Sequence, residues 1–485
     1  MEVPVKRSCA AKVVGWRTSV ALVVGMLSAL GLSGVATAQN LPTRADYTAW
    51  LAKYAQTEPS FKPGDVLTGK DLERIRPFVP PGYLEQLDFP EMRMEIGPPQ
   101  DHTPRMDFME CTEKYSSQVR LGPAGDLQNY ICGQPFMIFD AGPSDPLAGI
   151  KAAWNFEYRW QNYGFAAYSV PWIWVSFGGT HSPIEIEKPP TDWDTSTGFN
   201  VPLPTTAETA KMFAGGGSFH RMLQSTYQRV YFNHLAQLMN TQHGTLPVPD
   251  ASKFEFKDFL GFFDPFDIRG SAFIIYRYND PLRADDAWAY IPNLRHVRRI
   301  SVEVKSDSVL GTDLTLEDFF GFSGRVLEWH WKFLGWKDAL AVMNSKYDNA
   351  HYFGPNGVIP NDRWTMRRYA VVERTPIRSG HPYSSAIEFL DAQNWDCAYL
   401  IAFDHSQHVW KIFQFSEAWS EDLKEPALQR INRGIHASHT QGVAAIDLKN
   451  RRATLFAVFG GGFPNPTGQH VTSIFDPSSL EQSHR

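Results

Sequence analysis

The chain has 485 residues and a formal net charge of −6; 43% of its residues are hydrophobic, 14% aromatic and 20% charged. That composition excludes extensive disorder, and no basic patch large enough for nucleic acid is present. With 33 Phe, 18 Tyr and 15 Trp, the chain has material for one large core or two ordinary ones.

The first element reads as an export signal. Lys6, Arg7, Lys12 and Arg17 precede an apolar run from Val20 to Leu32, and Ala36-Thr37-Ala38 supplies the small residues of a cleavage site. The run falls short of the roughly 20 apolar residues of a spanning helix. Residues 1–38 are therefore expected to be a signal peptide cleaved near Ala38, leaving a periplasmic protein. Loss of four bases and Glu2 takes the charge from −6 to near −9. Of the remaining cysteines, Cys111 and Cys132 share a segment and are the expected disulfide in an oxidising compartment, with Cys397 a buried thiol; sequence does not prove the pairing.

Residues 39–147 are rich in Pro and turn signals and read as a wrapping segment. In GIKAAWNFEYRW, Ile150, Ala153, Trp154 and Tyr158 recur at helical spacing, which predicts about three turns ending near Asn162-Tyr163-Gly164. From Phe165 the texture is that of strands: FAAYSVPWIWVSF, then RMLQSTYQRVYF, which fits strand or helix. SAFIIYRY, AWAYI and LRHVRRISVEV follow, separated by NDP and PN turns. Between residues 366 and 459, MRRYAVVERT, SSAIEFLD, AYLIAFD, VWKIFQF, GVAAIDL and RATLFAVF succeed one another without long crossover helices. Such spacing favours an antiparallel, strongly curled sheet over parallel βαβ units. Residues 148–476 form the expected main domain and 477–485 a tail.

The acidic stretch GTDLTLEDFFGF does not fit a calcium loop, because the alternating oxygen ligands and the Gly and Glu positions are missing. Thr315-Leu316-Glu317-Asp318 has the form of a capping box, with Leu314 and Phe319 placed as a hydrophobic staple and Asp313 just ahead. Two H-x-x-H pairs, His405/His408 and His436/His439, lack the setting of a zinc site: the first flanks a hairpin tip and the second has no acidic partner in the motif. There is no nucleophile elbow, P-loop or dinucleotide fingerprint, so no cofactor is implied, and the glycine-rich runs GGGSFH and FGGGFPNPTG read as flexible loops. Arg295, Arg298 and Arg299 read as a solvated strand face.

DDAWAYIPNLRHVRRI followed by GTDLTLEDFFGF resembles the order of motifs in bacterial outer-membrane lipoprotein-sorting proteins, with Thr312 where Ser is usual. AGIKAAWNFEYRW, RYAVVERTP and AYLIAFDHSQHVWKIFQF resemble, more narrowly, a proteobacterial domain-of-unknown-function family, DUF1329, of the LolA/LolB-like superfamily. The resemblance implies an α+β fold that is mainly β. A curled antiparallel sheet would form an incomplete barrel, its concave face covered by helices and loops around an apolar cavity. It also implies a non-enzymatic carrier of a lipid, lipoprotein acyl chain or other hydrophobic ligand, working beside an RND-type transporter. Candidate ligand contacts are Trp154, Phe273, Ile275, Trp288 and Tyr290; alternation puts Phe273 with Ile275, and Trp288 with Tyr290, on common faces without saying which points inward. An envelope hydrolase and a ligand-free transporter scaffold are the alternatives. A cavity filled by the chain's own side chains would overturn the carrier reading.

Overall fold

The computed structural model describes residues 41–189, 201–292, 296–300, 305–462, 466 and 468–482. The expected signal peptide, Arg295 and the ends of LRHVRRISVEV lie outside them. The framework is a 15-stranded sheet whose strands in chain order are β1 (Val66–Thr68), β2 (Arg93–Gly97), β3 (Gly164–Ser176), β4 (Ser218–Tyr231) and β5 (Phe254–Asp264). These are followed by β6 (Ala272–Tyr278), β7 (Asp286–Ile291), β8 (His296–Ile300), β9 (Trp329–Ala341) and β10 (Arg363–Pro376). The last five are β11 (Ser385–Asp391), β12 (Cys397–Phe403), β13 (Val409–Trp419), β14 (Ser438–Asp447) and β15 (Arg452–Ala457).

In space the order is β1-β2-β10-β11-β12-β13-β14-β15-β3-β4-β5-β6-β7-β8, with β9 paired to β10. Among the described residues the path does not close on itself: the strand series predicts the curled antiparallel sheet, and its incomplete barrel is the form that the family resemblance implies. Pairing is antiparallel except for a short parallel contact of Arg363–Thr365 with β2. RMLQSTYQRVYF resolves as strand, since its register with both β3 and β5 supplies the backbone partners that a helix would have met internally.

Both faces of the central sheet are covered, which is why its strands read as continuous apolar runs; every residue of β12 is buried. One face packs on Tyr47, Trp50, Phe78 and Tyr83 of the N-terminal segment. The other packs on helix Ala148–Glu157 and on residues 309–331. This helix ends at Glu157, before the predicted Asn-Tyr-Gly stop. It lies close on β9 because Gly149 has no side chain: a Cβ there would stand 2.5 Å from the Trp331 carbonyl oxygen. The wrapping segment holds two further ten-residue helices, Arg44–Lys53 and Met106–Tyr115. The first begins at a capping box in which Asp46 Oδ2 accepts the Thr43 amide at 2.8 Å. Cys111 and Cys132 are disulfide-bonded, and Cys397 is free and buried. GGGSFH is held in place, the Gly216 amide donating to the Gly354 carbonyl at 2.8 Å. Among the described residues no helix is long and apolar enough to cross a membrane.

Candidate ligand-binding site

GTDLTLEDFFGF forms no solvent-exposed helix. It crosses the covered face of the sheet and is buried, with Asp313 1%, Asp318 0% and Glu317 6% exposed. The capping box does form: Asp318 Oδ2 accepts the Thr315 amide at 3.0 Å and the Thr315 hydroxyl at 2.8 Å. What it starts is one tight turn, broken where Phe319 becomes extended (φ −60°, ψ 134°) and Phe320 left-handed (φ 58°). A left-handed aromatic residue carries a cost of roughly 1–2 kcal/mol. The neighbours explain why it is tolerated. Phe319 packs on Trp172 and Tyr227, with ring centroids at 6.0 and 5.7 Å, and Phe320 on Phe165 at 5.8 Å. Burying two rings outweighs continuing a short helix. Leu314 and Phe319, expected to staple that helix, instead both face the same chamber.

The chamber has a volume of about 80 Å³ and is almost wholly apolar. Phe165, Val170 and Trp172 of β3, Tyr227 of β4 and Leu260 of β5 form one wall; Phe415, Val443 and Phe456 from β13 to β15 form the other; Leu314, Phe319 and Phe320 plug the space between. Ligands of benzene size need a cavity of about 150 Å³, so in this conformation the plug leaves no room for an acyl chain.

Buried polar groups fasten the plug at both ends. On one side Asp313 Oδ1 accepts Arg452 Nε at 2.7 Å, Asp313 Oδ2 accepts the Thr454 hydroxyl at 3.0 Å, and the Asp313 carbonyl accepts Lys411 Nζ at 2.7 Å. On the other, Ser323 Oγ accepts Arg229 at 2.6 Å and its carbonyl accepts Arg277 at 2.9 Å; these guanidiniums are themselves paired with Asp258 and Asp285. In the middle, Asp318 also accepts the Tyr383 hydroxyl at 2.9 Å, and Glu317 Oε2 lies 2.9 Å from His381 Nε2. His381 Nδ1 accepts the Tyr383 amide at 3.0 Å, so Nε2 carries the proton donated to Glu317. Burial pushes the Asp313 and Asp318 carboxyls above the usual range, against the pull of nearby cations. At Glu317 burial is outweighed by the bond from His381 and the charge of Arg374, and its carboxyl sits below the usual value. Glu388, fully buried and 2.6 Å from Arg374 Nε, is pushed by burial up to about 7.

A second cavity of about 350 Å³ lies beside this turn, where Glu317, His381 and Trp329 meet Lys305, Ser306, Glu328 and Arg378. Sequence reasoning missed His381, Arg374, Glu388 and Tyr383, which the motif search did not single out; their signal is a run of polar groups at strand positions that the sheet buries.

The other singled-out residues fall elsewhere. Trp154 is buried on its helix, its indole donating to the Gly125 carbonyl at 2.8 Å. Phe273 and Ile275 face the same core as the plug, whereas Trp288 and Tyr290 face the opposite cluster around Val471 and Phe475. None of the five lines the chamber, because β6 and β7 lie on the sheet beyond the strands the plug covers. His405 sits at the hairpin turn, His436 pairs with Glu421 at 3.0 Å, and His439 is buried against Phe165. Among the described residues no group of three His, Cys, Asp or Glu is placed to hold a metal ion. Arg299 pairs with Asp286, and Arg298 is exposed.

A family model described as "Protein of unknown function (DUF1329)" matches residues 66–199 and 193–481. Among solved structures, a putative outer membrane lipoprotein-sorting protein domain from Vibrio parahaemolyticus is 15% identical, with 69% of this chain and 98% of that one covered and a TM-score of 0.41. A DUF1329 family protein from Desulfovibrio piger is 14% identical, with 70% and 100% covered and a TM-score of 0.42. A LolA superfamily protein from Nitrosomonas europaea is 12% identical, with 65% and 92% covered and a TM-score of 0.33. A comparison with curated proteins finds no match.

Proposed function

This chain belongs to the DUF1329 family of proteins of unknown function, and on that premise we propose that it is a non-enzymatic periplasmic carrier or accessory protein for a lipidic or other hydrophobic ligand. The observation that carries the reading is the aromatic chamber between β3–β5 and β13–β15, closed by a loop whose two phenylalanines sit in nonhelical, partly strained backbone. The chamber is narrowed by the chain's own Leu314, Phe319 and Phe320, an outcome that weighs against a carrier. Here the filling is a loop residue held left-handed, the kind of outlier that marks a moving or binding element. Ligand entry swings Phe319 and Phe320 out, and each acyl methylene that replaces them gains about 0.8 kcal/mol from leaving water. An RND-type inner-membrane transporter is the partner suggested by the family resemblance, and cleavage near Ala38 the route to the periplasm.

Native mass spectrometry of protein taken from the periplasm tests this. Co-purified lipid, released on denaturation, is expected; no bound lipid, together with no uptake of an apolar fluorescent probe by wild type or by plug variants, overturns it. A hydrolase reading draws on one observation, the Glu317–His381 pair in the wall of the second cavity. It requires that Glu317→Gln abolish turnover of a lipid ester that the wild type cleaves.

A further inference from the structure

Beyond the plug lies a small pocket of opposite character. It shares Phe165, Phe320 and Thr440 with the apolar chamber, so these two rings form the partition between them. Its polar walls include Arg159, Gln161, Asp396, Glu417 and Ser438, with Trp160 and Cys397 beside them, and its volume is about 30 Å³. We infer that this pocket receives the head of an amphiphile whose apolar part fills the chamber, and that the head is a neutral hydrogen-bonding group such as a primary alcohol. The inference rests on the carrier reading above.

The chemistry of the walls selects the head. The Arg159 guanidinium donates to Asp396 Oδ1 and to the Phe156 carbonyl, both at 2.8 Å. With its amide turned so that nitrogen faces Tyr231, Gln161 offers Arg159 a further acceptor. Arg159 is thus already matched and is poorly placed to take up an incoming anion. Glu417 is 5% exposed, and its Oε1 accepts the Thr440 hydroxyl at 3.1 Å. Burial, reinforced by the Asp396 charge, raises its carboxyl well above the ordinary range, and burial raises the Asp396 carboxyl as well, so this pair of acids favours holding a proton. The pocket therefore presents the Arg159–Asp396 pair, the raised acid of Glu417 and the Thr440 hydroxyl, while the Ser438 hydroxyl already accepts Asn394 Nδ2 at 2.7 Å. A carboxylate or phosphate would enter beside Asp396 without a spare cation, and an ammonium would leave its hydration shell for a carboxylate already paired. A hydroxyl can both donate and accept there at no charge penalty.

The test uses full-length mature protein with 1-dodecanol, dodecanoate and dodecylamine as probes, read by displacement of an apolar fluorophore. Dodecanol is expected to bind at least tenfold more tightly than either charged probe. Glu417→Gln, which stays neutral and polar, should bind dodecanol within about twofold of wild type. Glu417→Leu should weaken it at least fivefold while leaving the fluorophore's own affinity unchanged, and Thr440→Val should weaken it at least fivefold relative to any change in that variant's affinity for the fluorophore; the threonine variant serves if the leucine variant does not fold. Equal binding of all three probes, or tighter binding of dodecanoate or dodecylamine, overturns the head assignment and leaves the carrier reading standing. Failure of the fluorophore and every probe to bind overturns the carrier reading and this inference together.

Discussion

Phe320→Ala separates a plug from ordinary core. The ring opens on the order of 100 Å³ when removed, and a residual cavity costs about 24 cal/mol per Å³, or about 2.4 kcal/mol; with the lost transfer free energy of the ring, a fully packed Phe loses ~3–5 kcal/mol. Phe320 is only partly buried and borders a space of about 80 Å³ already present, so the loss should be smaller, about 2 kcal/mol. Phe320→Gly removes the same ring but also relieves the left-handed backbone at φ 58°, and should be more stable than the alanine variant by about 1 kcal/mol. Phe322, 2% exposed and packed on Trp329 and Trp331 at 5.9 and 5.2 Å, is the core control. Urea unfolding and titration with N-phenyl-1-naphthylamine read the outcome. Both Phe320 variants should bind the probe several-fold more tightly than wild type, and Phe322→Ala should lose ~3–5 kcal/mol with no gain in binding. Losses at Phe320 as large as at Phe322, with unchanged probe affinity, would refute the plug.

Asp318→Ala strands the Thr315 amide, the Thr315 hydroxyl and the Tyr383 hydroxyl; a loss of about 3 kcal/mol is expected, with faster hydrogen exchange confined to residues near 314–321 if the loop opens as a unit. Glu388 has a folded pKa of about 7 against 4.5 for the free side chain, so between those values the folded state holds the extra proton. Stability therefore falls as pH rises through that window, by up to ~1.4 kcal/mol per pH unit, and Glu388→Gln should flatten a urea-midpoint profile there. Replacing Cys111 and Cys132 together by Ser frees a loop with a sequence separation of 21 and should cost ~3 kcal/mol by urea unfolding; an unchanged midpoint would exclude a linked pair in the native protein. Gly321→Ala places a methyl 2.5 Å from Cys397 Cβ at a residue with φ 96°, and expression of a folded variant of wild-type Tm would contradict the packing described.

Much of the sheet was legible because burial on both faces leaves a local trace: AYLIAF and VAAIDL are apolar without alternation, and turns punctuate them. The Thr315–Asp318 box was legible for the same reason, its partners being three residues apart. A second such box, Thr43–Asp46, starts helix Arg44–Lys53 within the proline-rich segment.

The candidate site was far less legible. Phe273, Ile275, Trp288 and Tyr290 were chosen for aromatic or branched character on clear strands, yet which strands face the plug depends on the long return that sets β15 beside β3.

Sequence by itself determined much of the strand series, though not β5 or β9, together with the cysteine pair to expect and the local cap, since each rests on contacts within a segment or on chemistry that needs no partner. Tertiary structure alone decided what the cap is for. Asp313 meets Arg452 and Thr454 across separations of 139 and 141 residues, and Phe319 meets Trp172 of β3. Those long-range contacts bury the acidic loop and make its carboxylates a clasp. They also turn its phenylalanines into the wall of a chamber, which no periodicity along the chain encodes.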